Sequence, residues 1–173
     1  LQPRYNILLK DDKTYPWIEV RNENFPRIQS TRQLRRDGSQ YFGPYGSISM
    51  QRSVLEFIRE VIPLRTCGLN LAPEAIARGK YGVCLQYHLG NCKGPCVGAQ
   101  SAADYAEMVG MAVSVLKGDL RPVRTHLETE MMRAAGELKF EVAQRYKQRL
   151  DALDNYSCKS VVVSAKITDV DVF

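Results

Sequence analysis

The chain has 173 residues, 45% of them hydrophobic and 25% charged, which is ordinary for a soluble globular protein. This composition excludes a wholly disordered chain, a collagen-like chain and a small disulfide-stapled scaffold. No apolar run approaches the ~18 residues that a membrane span requires, so we expect a cytoplasmic protein without membrane contact. Residues 1–98 have a net charge of +6 and residues 99–173 of −1, which favours a nucleic-acid partner for the first half.

The first part of the chain is predicted to form two short strands and a helix. Residues 15–21 are aromatic and β-branched, and we expect them to pair with an extended segment at residues 25–30. Residues 31–47 are polar and glycine-rich, with a turn predicted at residues 41–45. From Ile48 the apolar spacing is helical, and Pro63 ends the helix. Its predicted buried face comprises Met50, Val54, Phe57, Ile58, Val61 and Ile62.

Residues 63–100, which we call the cysteine segment, contain four of the five cysteines together with many glycines and prolines. Such a segment cannot form a helical core and needs a cross-link to become ordered. Four thiolates suit an iron–sulfur cluster or zinc, and metal binding would supply folding free energy. The candidate ligands are Cys67, Cys84, Cys92 and Cys96, with positive charge nearby at Arg65, Arg78, Lys80 and Lys93.

Alternatives remain open for this segment. The spacing lacks paired C-x2-C knuckles, which makes zinc less favoured, and some of the cysteines could be small buried hydrophobic residues. His88 could replace one ligand, while Cys158 is interpreted as an ordinary free cysteine. A thiol-redox pair at Cys92 and Cys96 has the wrong spacing for C-x-x-C.

Helices follow the cysteine segment. Ser101 is predicted to cap a helix that Gly118 closes. Residues 120–135 and the stretch after Gly136 are predicted to form an antiparallel helical hairpin. Leu127, Met131, Ala134 and Ala135 are expected to face inward in the first of these helices. Residues 160–163 and 167–173 are interpreted as one or two strands.

No complete catalytic constellation is present: the sequence has no G-x-S-x-G, no phosphate-binding Gly-rich loop and no H-E-x-x-H. The rings at residues 41–45 could stack on bases beside the flanking arginines Arg32, Arg35, Arg36 and Arg52. We favour the alternative that the rings pin the loop to the core while the arginines face DNA.

Several motifs, taken in order, resemble the UvrC family of bacterial excinuclease subunits. Residues 3–18 are similar to the end of that family's GIY-YIG nuclease domain, and Phe25-Pro-Arg, Tyr41-Phe-Gly-Pro-Tyr and Leu64-Arg-Thr-Cys continue in the family order. Residues 84–96 match its cysteine signature, and residues 131–153 are similar to its UVR motif. The resemblance extends over essentially the whole chain.

The resemblance implies a role in nucleotide excision repair, in which the family incises damaged double-stranded DNA on both sides of a lesion located by UvrA and UvrB. Because the chain starts at Leu1 without Met, we expect a fragment lacking both complete nuclease sites and their divalent metals. We therefore predict that the fragment alone is inactive. The rival hypothesis is a free-standing, metal-stabilised nucleic-acid-binding module.

Site residues also follow from the resemblance. Asn6 matches a position in the shell of the family's active site, and the four candidate cysteines match those assigned to a 4Fe–4S cluster, with zinc as the alternative. Leu138, Phe140, Glu141 and Ala143 match UVR positions that pair with a like hairpin of UvrB. Residues 144–147 depart from the common pattern. We expect DNA contacts at Arg4, Lys10, Lys13, Arg32, Arg35 and Arg36.

The implied fold is α+β and predominantly helical. Residues 1–47 would be the remnant of the GIY-YIG domain, and residues 48–100 a helix followed by the metal-binding cysteine segment. Residues 101–156 would hold the helices with the UVR hairpin. Residues 157–173 would be a strand leading into a further nuclease domain.

Overall fold

The computed structural model describes the backbone of residues 15–164 and the side chains of residues 15–157. The protein is predominantly helical with one small antiparallel sheet, which confirms the α+β class. Its elements are β1 (Trp17–Val20), β2 (Ile28–Thr31), β3 (Gln40–Phe42), α1 (Ile48–Val61), α2 (Pro73–Ala77), α3 (Leu85–His88), a 3-10 turn (Pro95–Val97), α4 (Ala102–Leu116), α5 (Arg121–Gly136) and α6 (Phe140–Ser164). No helix in this part of the chain could cross a membrane.

The sheet has β1 at its centre, in the order β2–β1–β3, with both neighbours antiparallel. Ile18 of β1 is opposite Ser30 on one side and Phe42 on the other, and it is completely buried. The predicted pairing of the first two strands is confirmed. The turn predicted at residues 41–45 is partly wrong, because Tyr41 and Phe42 belong to β3. Their aromatic side chains suit a strand, and β1 offers backbone groups that need partners.

Helix α1 is attached to the sheet by its N-terminal turn. The Ser47 hydroxyl accepts a hydrogen bond from the Met50 N–H (3.1 Å), a standard N-cap. The buried Gln51 amide donates to the Trp17 carbonyl of β1 at 2.5 Å. Met50 was expected on the buried face but is 57% exposed, so the polar Gln51, rather than Met50, anchors this turn.

Helices α4, α5 and α6 complete one core with α1. The Ser101 hydroxyl caps α4 as predicted, accepting from the Asp104 N–H at 3.1 Å. Phe57 of α1 stacks on Tyr156 of α6, with ring centroids 3.8 Å apart and planes 7° from parallel. The other buried side chains that join these helices are Ile58, Val61, Tyr105, Met108, Ala112, Val123, Leu127, Leu150 and Leu153.

The predicted hairpin of α5 and α6 is confirmed. Arg124 pairs with Asp154, and the Tyr146 hydroxyl donates to Glu130 at 3.3 Å. The later residue in α5, Glu130, contacts the earlier residue in α6, Tyr146, as an antiparallel pair of helices requires. Ala134 is buried as expected, whereas Ala135 is exposed.

The strand predicted at residues 160–163 is wrong, because α6 continues as a helix to Ser164. No Gly or Pro follows Gly136 to stop it, and three β-branched residues lower helix propensity only slightly. Residues 157–164 therefore belong to α6 rather than to the predicted terminal strand. Residues 167–173, like Arg4, Asn6, Lys10 and Lys13, lie outside the described residues.

The buried Arg65 guanidinium joins the sheet to the start of the cysteine segment. It donates to the Phe25 carbonyl at 2.7 Å in the β1–β2 loop and to the Leu69 carbonyl at 2.7 Å. It also pairs with the Glu23 carboxylate at 3.0 Å, which Arg27 holds from the other side at 2.7 Å. The Arg65 backbone N–H donates to the Tyr105 hydroxyl of α4 at 3.3 Å. One side chain and its backbone thus connect three parts of the chain.

We predict that Arg65→Met lowers the free energy of unfolding by about 3 kcal/mol. The substitution leaves two carbonyls without their donor and removes one of the two arginines that pair with the Glu23 carboxylate. Urea denaturation measures the change. Arg59→Met on the exposed face of α1 is the matched control, with an expected change within about 0.5 kcal/mol. Equal effects of the two substitutions would contradict the role of Arg65.

A second prediction concerns Glu23. Burial opposes ionisation of its carboxyl, but the hydrogen bond from Arg27 and the charges of Arg65, Arg27 and Arg21 outweigh burial and hold its pKa below the ordinary 4.5. A lowered folded-state pKa stabilises the fold above the unfolded-state pKa, and this contribution disappears as pH falls through the folded-state pKa.

Glu23→Gln should therefore destabilise the protein at pH 7, by roughly 1 kcal/mol for a partly exposed pair. The difference from the parent chain should shrink when unfolding is measured near pH 3. A difference that stays constant between the two pH values would show that the Glu23 charge does not contribute.

Candidate functional site: the cysteine segment and the helical hairpin

The cysteine segment has little regular structure. It contains only the short α2 and α3 and the 3-10 turn, and few of its side chains are buried. Gly94 and Gly98 flank the 3-10 turn with φ of 72° and 71°, a left-handed conformation that favours glycine. A Cβ on Gly94 would lie 2.7 Å from the Tyr87 ring. These two glycines let the chain fold tightly around Cys96.

The four cysteines differ in exposure. Cys92 and Cys96 are buried, Cys67 is half-buried, and Cys84 is exposed as the residue before α3. Burial raises the pKa of the Cys92 thiol, and the charges of Cys67, Cys84 and Cys96 raise it further. Burial likewise raises the pKa of Cys96, followed by the charge of Cys67. The sulfurs of Cys67, Cys84 and Cys96 therefore lie near enough to Cys92 for their negative charge to oppose its ionisation.

Electrostatic proximity of the cysteine sulfurs does not by itself make a metal-binding site. Among residues 15–157, no three His, Cys, Asp or Glu side chains are gathered closely enough to hold a metal. The donor set itself suits a soft metal centre, since thiolates are the ligands of zinc and of iron–sulfur clusters. Such a centre would have to draw the exposed Cys84 towards the two buried sulfurs.

Of the four basic residues expected near the cysteines, Arg65 lies closest to a sulfur, with its Nη1 3.9 Å from the Cys67 Sγ. Lys93 pairs with Asp104 at 3.6 Å, Arg78 donates to the Glu74 carbonyl, and Lys80 lies over the Tyr81 ring. His88 is exposed and packs edge-to-face against Tyr87. Within this arrangement, Arg65 is the cation best placed to offset thiolate charge.

The turn between α5 and α6 presents apolar side chains to solvent. We define the hairpin tip as residues 132–141. Met132, Leu138 and Phe140 are 71%, 74% and 66% exposed. Leu138 has a φ of 57°, a left-handed conformation that is costly for a bulky residue. Left-handed backbone at a residue other than glycine clusters at functional sites, and Leu138 combines it with an exposed apolar side chain.

Charged pairs surround this apolar tip. Arg133 contacts Glu130 at 2.6 Å and Glu137 at 3.1 Å, and Lys139 contacts Glu137 at 2.7 Å. Of the other two residues matched to the UVR motif, Glu141 is exposed and Ala143 is half-buried. An apolar centre with a polar rim is the usual composition of a protein interface.

The three described arginines of the predicted DNA surface are exposed in the loop after β2. Arg32 and Arg35 line an open groove of about 610 Å³ with Tyr15, Trp17 and Pro44. The Arg35 backbone N–H donates to the Tyr41 hydroxyl at 2.9 Å, and Phe42 and Tyr45 pack against the core. The contacts agree with our interpretation that the rings pin the loop.

Sequence reasoning missed one contact between the cysteine segment and the hairpin. The Arg149 Nη2 of α6 donates to the Gly90 carbonyl at 2.8 Å, and a Cβ on Gly90 would lie 2.5 Å from the Arg145 Nη1. The residues are 55 and 59 positions from Gly90 along the chain. The only signal was the spacing of two arginines one helical turn apart, which alone does not identify their neighbour.

Comparison with known proteins places these features in a family. Residues 15–115 match the family model described as the UvrC/Cho excinuclease middle domain. This match begins with the sheet, includes the cysteine segment and ends in α4. It crosses the boundaries that we predicted after residues 47 and 100, and those boundaries remain predictions. No solved structure matches the chain significantly.

Similar proteins of known name extend the match to the whole chain. The UvrABC system protein C of Salinibacter ruber is 49% identical over 173 residues, 100% of this chain and 27% of the relative. The proteins of the same name from Bacteroides fragilis and Flavobacterium johnsoniae are 48% identical over 172 residues and 46% identical over 173, covering 28% and 29% of those relatives. The chain thus spans less than a third of the relatives it matches, and it belongs to the UvrC/Cho excinuclease family.

Proposed function

We propose that this chain is the central part of a nucleotide excision repair endonuclease subunit, where it docks the subunit on UvrB and contacts damaged DNA. Incision would belong to the whole subunit rather than to these residues. The main support for docking is the exposed apolar hairpin tip within a chain of this family. The basic first half, with Arg32, Arg35 and Arg36 on an exposed loop, supports the DNA contact.

Docking would bury the apolar tip against a like hairpin of UvrB. Leu138 and Phe140 supply apolar area, while Glu141 and the rim pairs of Glu137 supply polar contacts that set the register. The backbone of the tip is closed by two turn hydrogen bonds, from Leu138 N–H to the Ala135 carbonyl and from Lys139 N–H to the Ala134 carbonyl, at 3.0 and 2.9 Å. A preformed surface of this kind lowers the entropic cost of binding.

We predict that Phe140→Ala weakens binding to UvrB about 5- to 30-fold, as expected when a central aromatic contact is lost. Because Phe140 is exposed, its removal should leave thermal stability unchanged. Calorimetric titration of UvrB into the chain measures the affinity. Arg52→Ala, exposed on α1, is the control. Unchanged affinity for the Phe140 variant would contradict docking through this tip.

The cysteine segment would hold a 4Fe–4S cluster through Cys67, Cys84, Cys92 and Cys96, with zinc as the alternative metal. When bound, such a group cross-links a segment that has few buried side chains of its own. Arg65 would offset part of the thiolate charge at Cys67. The buried Cys92 and Cys96, held by the turn between Gly94 and Gly98, would form the ordered half of the site.

Cysteine substitution tests this centre. Cys84→Ser should abolish metal binding although Cys84 is exposed and its loss removes little packing. Cys158→Ser, outside the four-cysteine pattern, should retain the metal. Elemental analysis and the visible spectrum of anaerobically purified protein measure the content. Iron with sulfide supports the cluster, stoichiometric zinc supports the alternative, and equal absence of metal from all three proteins refutes the site.

A further inference from the structure

A pocket between α6 and the cysteine segment is lined by cations. It has a volume of about 120 Å³, well above the roughly 10–15 Å³ that one water molecule needs. Arg145 and Arg149 form one wall and Lys93 another, beside Cys92, and no carboxylate lines it. It is separate from the hairpin tip and from the loop after β2.

The two arginines are held in this pocket by different contacts. Arg149 is anchored by its bond to the Gly90 carbonyl and lies beside the Tyr146 ring, with Cζ 5.8 Å from the ring centroid. The Arg145 guanidinium lies beside Gly90, in space that a side chain at position 90 would occupy. Arg149 is thus oriented before any ligand arrives, and Arg145 lies beside it at Gly90.

Charge in the pocket is poorly compensated. Like charges one helical turn apart repel each other. Burial lowers the pKa of Arg149, and the Arg145 charge lowers it further against the opposing effect of Tyr146. No carboxylate among the described residues contributes to that balance. Lys93 has a partner, since its Nζ lies 3.6 Å from the Asp104 carboxylate. Among the described residues, neither guanidinium is paired with a carboxylate.

An oxyanion would remove this imbalance. Guanidinium forks bind phosphate oxygens in a bidentate manner, and such charge-assisted bonds are strong. The pocket has room for a phosphate group. We infer that Arg145, Arg149 and Lys93 bind a backbone phosphate of nucleic acid between the hairpin and the cysteine segment. The inference deepens the proposed DNA contact and adds a site to the arginines of the β2 loop.

The test is the salt dependence of DNA binding by the full 173-residue chain. Arg145→Gln should weaken binding to a short duplex about tenfold and lower the slope of log K against log salt by about one, as loss of one phosphate contact requires. Lys147→Gln removes the same charge from an exposed position of α6 and should leave the slope unchanged. Arg149→Lys keeps the positive charge but loses the bidentate guanidinium, so its affinity for the duplex should lie between those of the parent chain and Arg145→Gln.

Thermal unfolding of each variant verifies that the fold is intact, and Arg145→Gln leaves the Arg149–Gly90 bond in place. Equal slopes for Arg145→Gln and Lys147→Gln overturn the inference while the proposed function stands. Absence of DNA binding by the parent chain overturns both. Stabilisation by inorganic phosphate without a DNA effect, or loss of metal at unchanged DNA affinity, also overturns it, because the cations would then serve free phosphate or the cysteine centre.

Discussion

The buried guanidinium of Arg65 is the constraint on which the arrangement of residues 15–100 depends. A charge that is almost fully buried must be paired and hydrogen-bonded, and Arg65 finds its partners in the β1–β2 loop and at the start of the cysteine segment. These partners are 40 residues away on one side and 4 on the other. One side chain therefore fixes the position of the β1–β2 loop relative to the start of the cysteine segment.

The cysteine segment that starts beside Arg65 is unevenly buried. Cys67 lies two residues from Arg65 and is held near it, while Cys92 and Cys96 are buried against the core. Between them, residues 78–89 remain almost entirely exposed, including Cys84. The polypeptide alone thus buries two of the four sulfurs, half-buries a third and leaves one at the surface.

Local patterns in the sequence predicted much of the architecture, because helix caps and apolar periodicity act over a few residues. Ser101 and Pro63 mark helix ends where the structure has them. The short turn at Gly136 correctly predicted the hairpin. Strand β3 was missed because its partner β1 lies twenty residues away, and the end of α6 was misassigned because three valines outweighed the missing stop signal.

The local motifs of the candidate site could be predicted from the sequence, but its long-range contacts could not. Spacing and resemblance singled out the cysteines and the hairpin tip before any fold was known, since both are local motifs. The contact of Arg149 with Gly90 is purely tertiary, and no pattern in either segment indicates it. Long-range polar contacts of this kind depend on how helices pack, which neither propensity nor periodicity specifies.

Helix α6 connects separate parts of the fold. Its 25 residues form a rod of about 37 Å that packs along α5, is bonded through Arg149 to Gly90, and is stacked further along on Phe57 through Tyr156. Because one helix carries the hairpin tip at its start and these attachments further along, the positions of the tip, the cysteine segment and α1 are set relative to one another through a single element.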